Sequence, residues 1–154
     1  MTVNEFQGLI KVVTDAIAGK PVDESLAAYL NETFPPESEA FKAIESACHT
    51  GAKEGWLCEN EHGGIKYGRP IKPTDDLQGC SVDVVRMKDI KGPHHTHPNG
   101  EIDMVMPIEG DAKFDGQPAG WKVYGPGSAH HPTVTDGDAY VLYLLPGGAI
   151  EFTR

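Results

Sequence analysis

Apolar residues in the first third of the chain recur at helical spacing. Phe6, Ile10, Val13 and Ile17 share one helix face that ends at Gly19, and Thr2 and Glu5 have the spacing of a capping box. A second helix is predicted to begin near Asp23, to bury Leu26 and Leu30, and to stop at Pro35-Pro36. The third starts around Ser38, places Phe41, Ile44 and Cys48 on one face, and ends before Gly55. None of these helices carries a chemical cluster, so they read as a cover or an oligomer arm for the rest of the chain.

From Trp56 the pattern changes to short apolar segments between turns. Strands are predicted at 65–69, 80–87, 101–108, 112–114, 121–124, 140–145 and 149–152. Asp115-Gly116 and Asp136-Gly137 are dipeptides of the kind that join antiparallel strands in tight turns. No long helices alternate with the strands to build a parallel sheet. The prediction is therefore a mainly β chain forming an antiparallel sandwich or barrel. Residues 1–55 are expected to form an N-terminal helical region packed on the barrel of residues 56–154, one compact domain overall.

Composition narrows the partners. With 13 Lys and Arg against 23 Asp and Glu, the 154-residue chain has a formal net charge of −10. Such a surface opposes nucleic acid, whose phosphates demand cationic side chains, and opposes an anionic membrane. The N-terminus shows no basic region followed by an apolar run, and no segment is apolar for long enough to span a bilayer. Cys48, Cys58 and Cys80 form no CxxC pair, which fits free thiols in a reducing cytoplasm.

The chemistry gathers in "GPHHTHPNGEID", residues 92–103. His95 and His97 are two apart, so in an extended chain both imidazoles address the same side. Pro98-Asn99-Gly100 then turns the chain and brings Glu101 alongside. A third imidazole, His130, comes after the turn in "YGPGSAHHP". Three imidazoles and a carboxylate make a site for a divalent metal ion, with Fe, Mn, Zn, Co and Ni equally suited. No organic cofactor is expected. His94 is predicted to point away from His95, and His49 reads as a cation at the end of a helix.

The HxHxxxE spacing in "HHTHPNGE", with the Gly-Pro-Gly-x-x-His turn some thirty residues later, resembles the two signature motifs of the cupin superfamily. That resemblance implies a cupin-type antiparallel β-barrel, or jelly roll. The N-terminal helices, "CENEHGGIKYGRPIKP", "SVDVVRMKDIKGPHHTHPNGEIDMVMPI", "GWKVYGPGSAHHPTV" and "LYLLPGGAIEFTR" together resemble the small bacterial 4-hydroxylaminobenzoate lyases. The family implies conversion of 4-hydroxylaminobenzoate to protocatechuate (3,4-dihydroxybenzoate) with release of ammonia, in nitrobenzoate degradation. It also implies a homodimer.

Such a reaction needs groups that move protons and a cation for the substrate carboxylate. Glu101, Asp103, His131 and His62 are the acid–base candidates, Asp103 because it shares strand parity with Glu101. Arg69 and Arg86 are the candidate carboxylate clamps, and Trp121 and Tyr124 are placed to flank the ring. Two other functions compete. One is a different metal-dependent barrel enzyme, a dioxygenase or an isomerase; the other is a sensor that binds a small aromatic acid without turnover.

Overall fold

The helical repeat produces the elements expected of it. In a computed structural model that describes residues 1–153, α1 spans Val3–Ile17, α2 Glu24–Thr33 and α3 Glu39–Glu54. The Thr2 hydroxyl accepts from Glu5 N at 3.1 Å and the Glu5 carboxylate accepts from Thr2 N at 2.8 Å, closing the capping box. The side chains of Asp23 and Ser38 cap α2 and α3, and Gly55 ends α3 in a left-handed conformation.

Nine strands come next among the described residues: β1 Asn60–His62, β2 Ile65–Ile71, β3 Cys80–Lys91, β4 His95–His97, β5 Glu101–Phe114, β6 Gly120–Tyr124, β7 Ser128–His130, β8 Thr133–Pro146 and β9 Glu151–Phe152. Six form one antiparallel sheet in the order β1-β2-β3-β8-β5-β6, and three form a second in the order β7-β4-β9. The fold is a mainly β, cupin-type antiparallel barrel with N-terminal helices.

The large sheet has two differently used faces. Val82, Val84, Ile102, Met104, Met106, Leu142 and Leu144 point outward and join Phe6, Ile10, Leu30, Phe41 and Ile44 of the helices in one core. Each such side chain, buried fully, contributes about 1.5–3 kcal/mol. Met87, Val105, Phe114, Val134, Val141 and Leu145 point inward and fill the barrel. Strand alternation thus sends one set of residues to the helices and the other to the barrel interior, where the site lies.

Three sequence expectations are corrected. The segments 101–108 and 112–114 are one continuous strand, β5, which shifts register between Gly110 and Lys113. Asp115-Gly116 is a tight turn with φ of 48° and 84°, but Asp136-Gly137 lies inside β8 as a bulge opposite that shift. A Cβ on Gly137 would collide with the Glu109 carbonyl oxygen, so the close approach of the two strands admits only glycine there. Finally, residues 128–130, outside the predicted strands, form β7, which pairs with β4.

The far edge of the large sheet is closed by α2. Asn31 donates from Nδ2 to the Trp121 carbonyl at 2.9 Å and accepts from Trp121 N at 2.8 Å, taking the place of a neighbouring strand.

Candidate metal centre and active-site cavity

Short strands aim the histidines. In β4, His95 and His97 alternate with Thr96 and both turn into the barrel, where they are 1% and 0% exposed. The β4–β7 register sets His130 directly opposite His95. Glu101 opens β5 on the inner face and is fully buried. One ligand atom from each of these four residues lies within 4.8 Å of all the others.

Their hydrogen bonds prepare the cluster for a cation. Ser128 Oγ donates to the Gly125 carbonyl at 2.6 Å and so accepts from His97 Nδ1 at 2.9 Å, leaving His97 Nε2 as a lone pair. Asp115 accepts from His130 Nδ1 at 2.5 Å, which turns His130 Nε2 toward the same point. His95 Nε2 and His97 Nε2 lie 3.3 Å from Glu101 Oε1, and His130 Nε2 lies 3.3 Å from Oε2. His97 Nε2 and both Glu101 oxygens are buried polar atoms without a hydrogen-bond partner among the described residues. Buried groups of this kind demand a partner, and a divalent ion at their convergence would supply it. The residues present therefore fit a metal.

Charge obeys the same plan. Burial disfavours ionised Glu101, but the imidazoles of His130, His95 and His97 outweigh it and hold the carboxyl well below its ordinary value. Burial also opposes the His130 imidazolium, yet the Asp115 and Glu101 carboxylates push it up to about 9. Asp103 lies on the same face as Glu101 and is fully buried; burial, then the charge on Glu101, push its carboxyl well above normal. It is a neutral acid beside an ionised one.

A cavity of about 630 Å³ opens beside His95. Its walls are largely apolar, from Ile65, Val85, Met87, Pro93, Pro132, Ile150 and Phe152, with His62, Arg69, Asp83 and Tyr143 as polar members. This is the size and make-up of a small-molecule site. Arg69 donates from Nε and Nη2 to the two oxygens of Asp83 at 2.6 and 3.0 Å, and from Nη2 to the Gly148 carbonyl at 3.0 Å. Its Nη1 makes no hydrogen bond among the described residues. A Cβ on Gly148 would stand 2.8 Å from that nitrogen, so this glycine makes room for the guanidinium.

The structure brings some of the expected residues to this site and sends others elsewhere. His95, His97, Glu101 and His130 converge, Asp103 adjoins them, and Arg69 and His62 line the cavity. Arg86 does not: it lies on the helix-facing side of β3, paired with Asp138 at 2.8 Å and stacked over Tyr140. Trp121 is also on that side, 1% exposed, packed edge-on against Phe41, with Nε1 donating to the Phe34 carbonyl. His131 lies just past the end of β7, does not join the ligands, and meets His94, ring centroids 4.9 Å apart, with its Nδ1 3.2 Å from the Gly92 carbonyl oxygen. Tyr124 packs against His130 and His97 and spends its hydroxyl on Asp115, so it braces the ligands rather than flanking a substrate.

Four residues of the site are not evident in the sequence: Asp115, Ser128, Asp83 and Tyr143. In the chain Asp115 reads only as a turn residue. Strand register places Asp83 and Tyr143: Asp83 stands opposite Tyr143, which stands opposite Asp103.

A family model described as PnbB, 4-hydroxylaminobenzoate lyase, matches residues 8–152. A 4-hydroxylaminobenzoate lyase from Pseudomonas putida is 30% identical over 97% of this chain and 97% of its own length. One from Nocardioides is 30% identical over 88% of this chain and 86% of its own. Among solved structures, a double-stranded β-helix protein from Klebsiella pneumoniae aligns at 18% identity and a TM-score of 0.46, over 66% of this chain and 93% of its own. The family match runs through nearly every element of the fold, helices and barrel alike: the chain is an enzyme of the 4-hydroxylaminobenzoate lyase family.

Proposed function

We propose that the enzyme converts 4-hydroxylaminobenzoate to 3,4-dihydroxybenzoate with release of ammonia, as a step in nitrobenzoate degradation. One water is consumed, the ring carbon next to the nitrogen-bearing carbon is oxidised, and the hydroxylamine nitrogen is reduced to ammonia. The observation that carries this reading is a buried three-histidine, one-glutamate cluster at one side of an apolar cavity that also holds a guanidinium.

Geometry supports a para-substituted benzoate in that cavity. Asp83, the anchor of Arg69, lies two strand positions from Asp103, through Tyr143. Two strand spacings are about 10 Å. A benzoate whose carboxylate meets Arg69 Nη1 thus extends its para nitrogen toward His95 and Glu101. The apolar walls exclude water from the ring face.

His95, His97, Glu101 and His130 would hold the divalent ion. When bound, that ion supplies Lewis-acid polarisation and a water that ionises near neutral pH. Arg69 orients the carboxylate. Asp103, kept neutral, is a proton reserve behind Glu101, and His62 stands at the cavity wall as a further acid–base candidate. The three cysteines are unpaired, which supports a reducing cytoplasm.

The test is an anaerobic assay of purified protein with 4-hydroxylaminobenzoate, with and without a chelator. Equimolar ammonia and 3,4-dihydroxybenzoate, lost on chelation, is the expected result. An absolute need for oxygen would make the enzyme a dioxygenase, and binding without turnover would make it a sensor.

A further inference from the structure

Tyr143 sits on the inner face of β8 with its side chain lining the cavity beside His95, the two ring centroids 6.3 Å apart. Asp83 on β3 and Asp103 on β5 flank it in register, so it occupies the middle of the row that joins the Arg69 anchor to the metal ligands. The residue is 4% exposed. One polar group beside it in register, Asp83, is engaged with Arg69.

The hydroxyl of Tyr143 is different, because no described residue accepts or donates a hydrogen bond to it. Its oxygen is not among the fully buried unpaired side-chain atoms, so the hydroxyl opens on the cavity that the residue lines. Packing against Phe114, with ring centroids 6.1 Å apart, uses only the ring and leaves the hydroxyl free for a ligand. The group is therefore an unpaired O–H donor at the cavity wall.

We propose that Tyr143 is a further catalytic residue, donating a hydrogen bond to the oxygen of the substrate's hydroxylamino group as the N–O bond breaks. This rests on the lyase reading. The bonding pair leaves on oxygen, and the proton released when water adds to the adjacent ring carbon turns the departing hydroxide into water. A second water then displaces nitrogen as ammonia. Tyr143 ends as it began, with its proton, having stabilised charge that exists only while the bond is breaking.

The experiment compares wild-type enzyme with Tyr143→Phe, both metal-loaded. The variant is expected to keep its melting temperature, its metal content and its KM within about threefold, while kcat falls about 100-fold, the loss typical of one such donor. Its affinity for 4-aminobenzoate, which lacks the oxygen, should equal that of wild type. Unchanged kcat in Tyr143→Phe, with wild type active, overturns the tyrosine alone. Loss of metal or of folding in the variant also overturns it, because the hydroxyl would then be structural. A wild type that releases no ammonia overturns the lyase reading and this inference with it.

Discussion

Asp115 Oδ2 accepts hydrogen bonds from both His130 Nδ1 and the Tyr124 hydroxyl, each at 2.5 Å. A residue in a tight turn thereby fixes the tautomer and aim of an imidazole fifteen positions later. Removing such an outer partner ordinarily costs roughly 10- to 100-fold in metal affinity. Asp115→Asn is expected to weaken divalent metal binding by about that factor, and Tyr124→Phe by less, read from competition with a chelating dye.

Metal binding should expel a proton. In the metal-free protein His130 is pushed up to about 9, so near pH 7 it carries a proton that the metal must displace. Apparent affinity is expected to rise with pH and to level off above about 9. Titration calorimetry at about pH 7 in two buffers of different ionisation enthalpy should report about one proton released. His130→Ala should release none.

The two arginines should separate cleanly. Arg69→Gln is expected to raise KM for the benzoate about tenfold to hundredfold, the value of a charge-assisted hydrogen bond. Arg86→Gln leaves KM unchanged, because that guanidinium faces the helices and Asp138. Steady-state kinetics on both variants decides it.

Trp121 is a stability residue in this fold. Trp121→Phe deletes the bond to the buried Phe34 carbonyl, which costs about 1–3 kcal/mol. The expected readout is a lower urea midpoint with KM and metal content at wild-type values.

The ligand set is legible in the sequence because two-residue spacing in an extended segment has one geometric meaning. His95 and His97 obey it, and Asp103 relates to Glu101 by the same rule. The helices are legible because their caps are spelled in the chain at Thr2, Asp23, Ser38 and Gly55. Trp121 and Tyr124 are three apart, so one regular strand cannot present both to a substrate, and that signal is available in the chain. Asp136-Gly137 is not decidable from sequence, since positive φ serves a bulge as well as a turn. Tyr143 is hidden in "YVLYLLP", where burial of both sheet faces erases the alternation that marks an inward side chain.

The side chain of Asn31 has a consequence for the molecule's dealings with its own copies. By satisfying the peptide group of Trp121 on both its donor and acceptor sides, a single amide occupies the template on which a foreign backbone would anneal. Strand-by-strand accretion from that border of the barrel is blocked at Trp121, and a polar residue on a helix acts as the stopper.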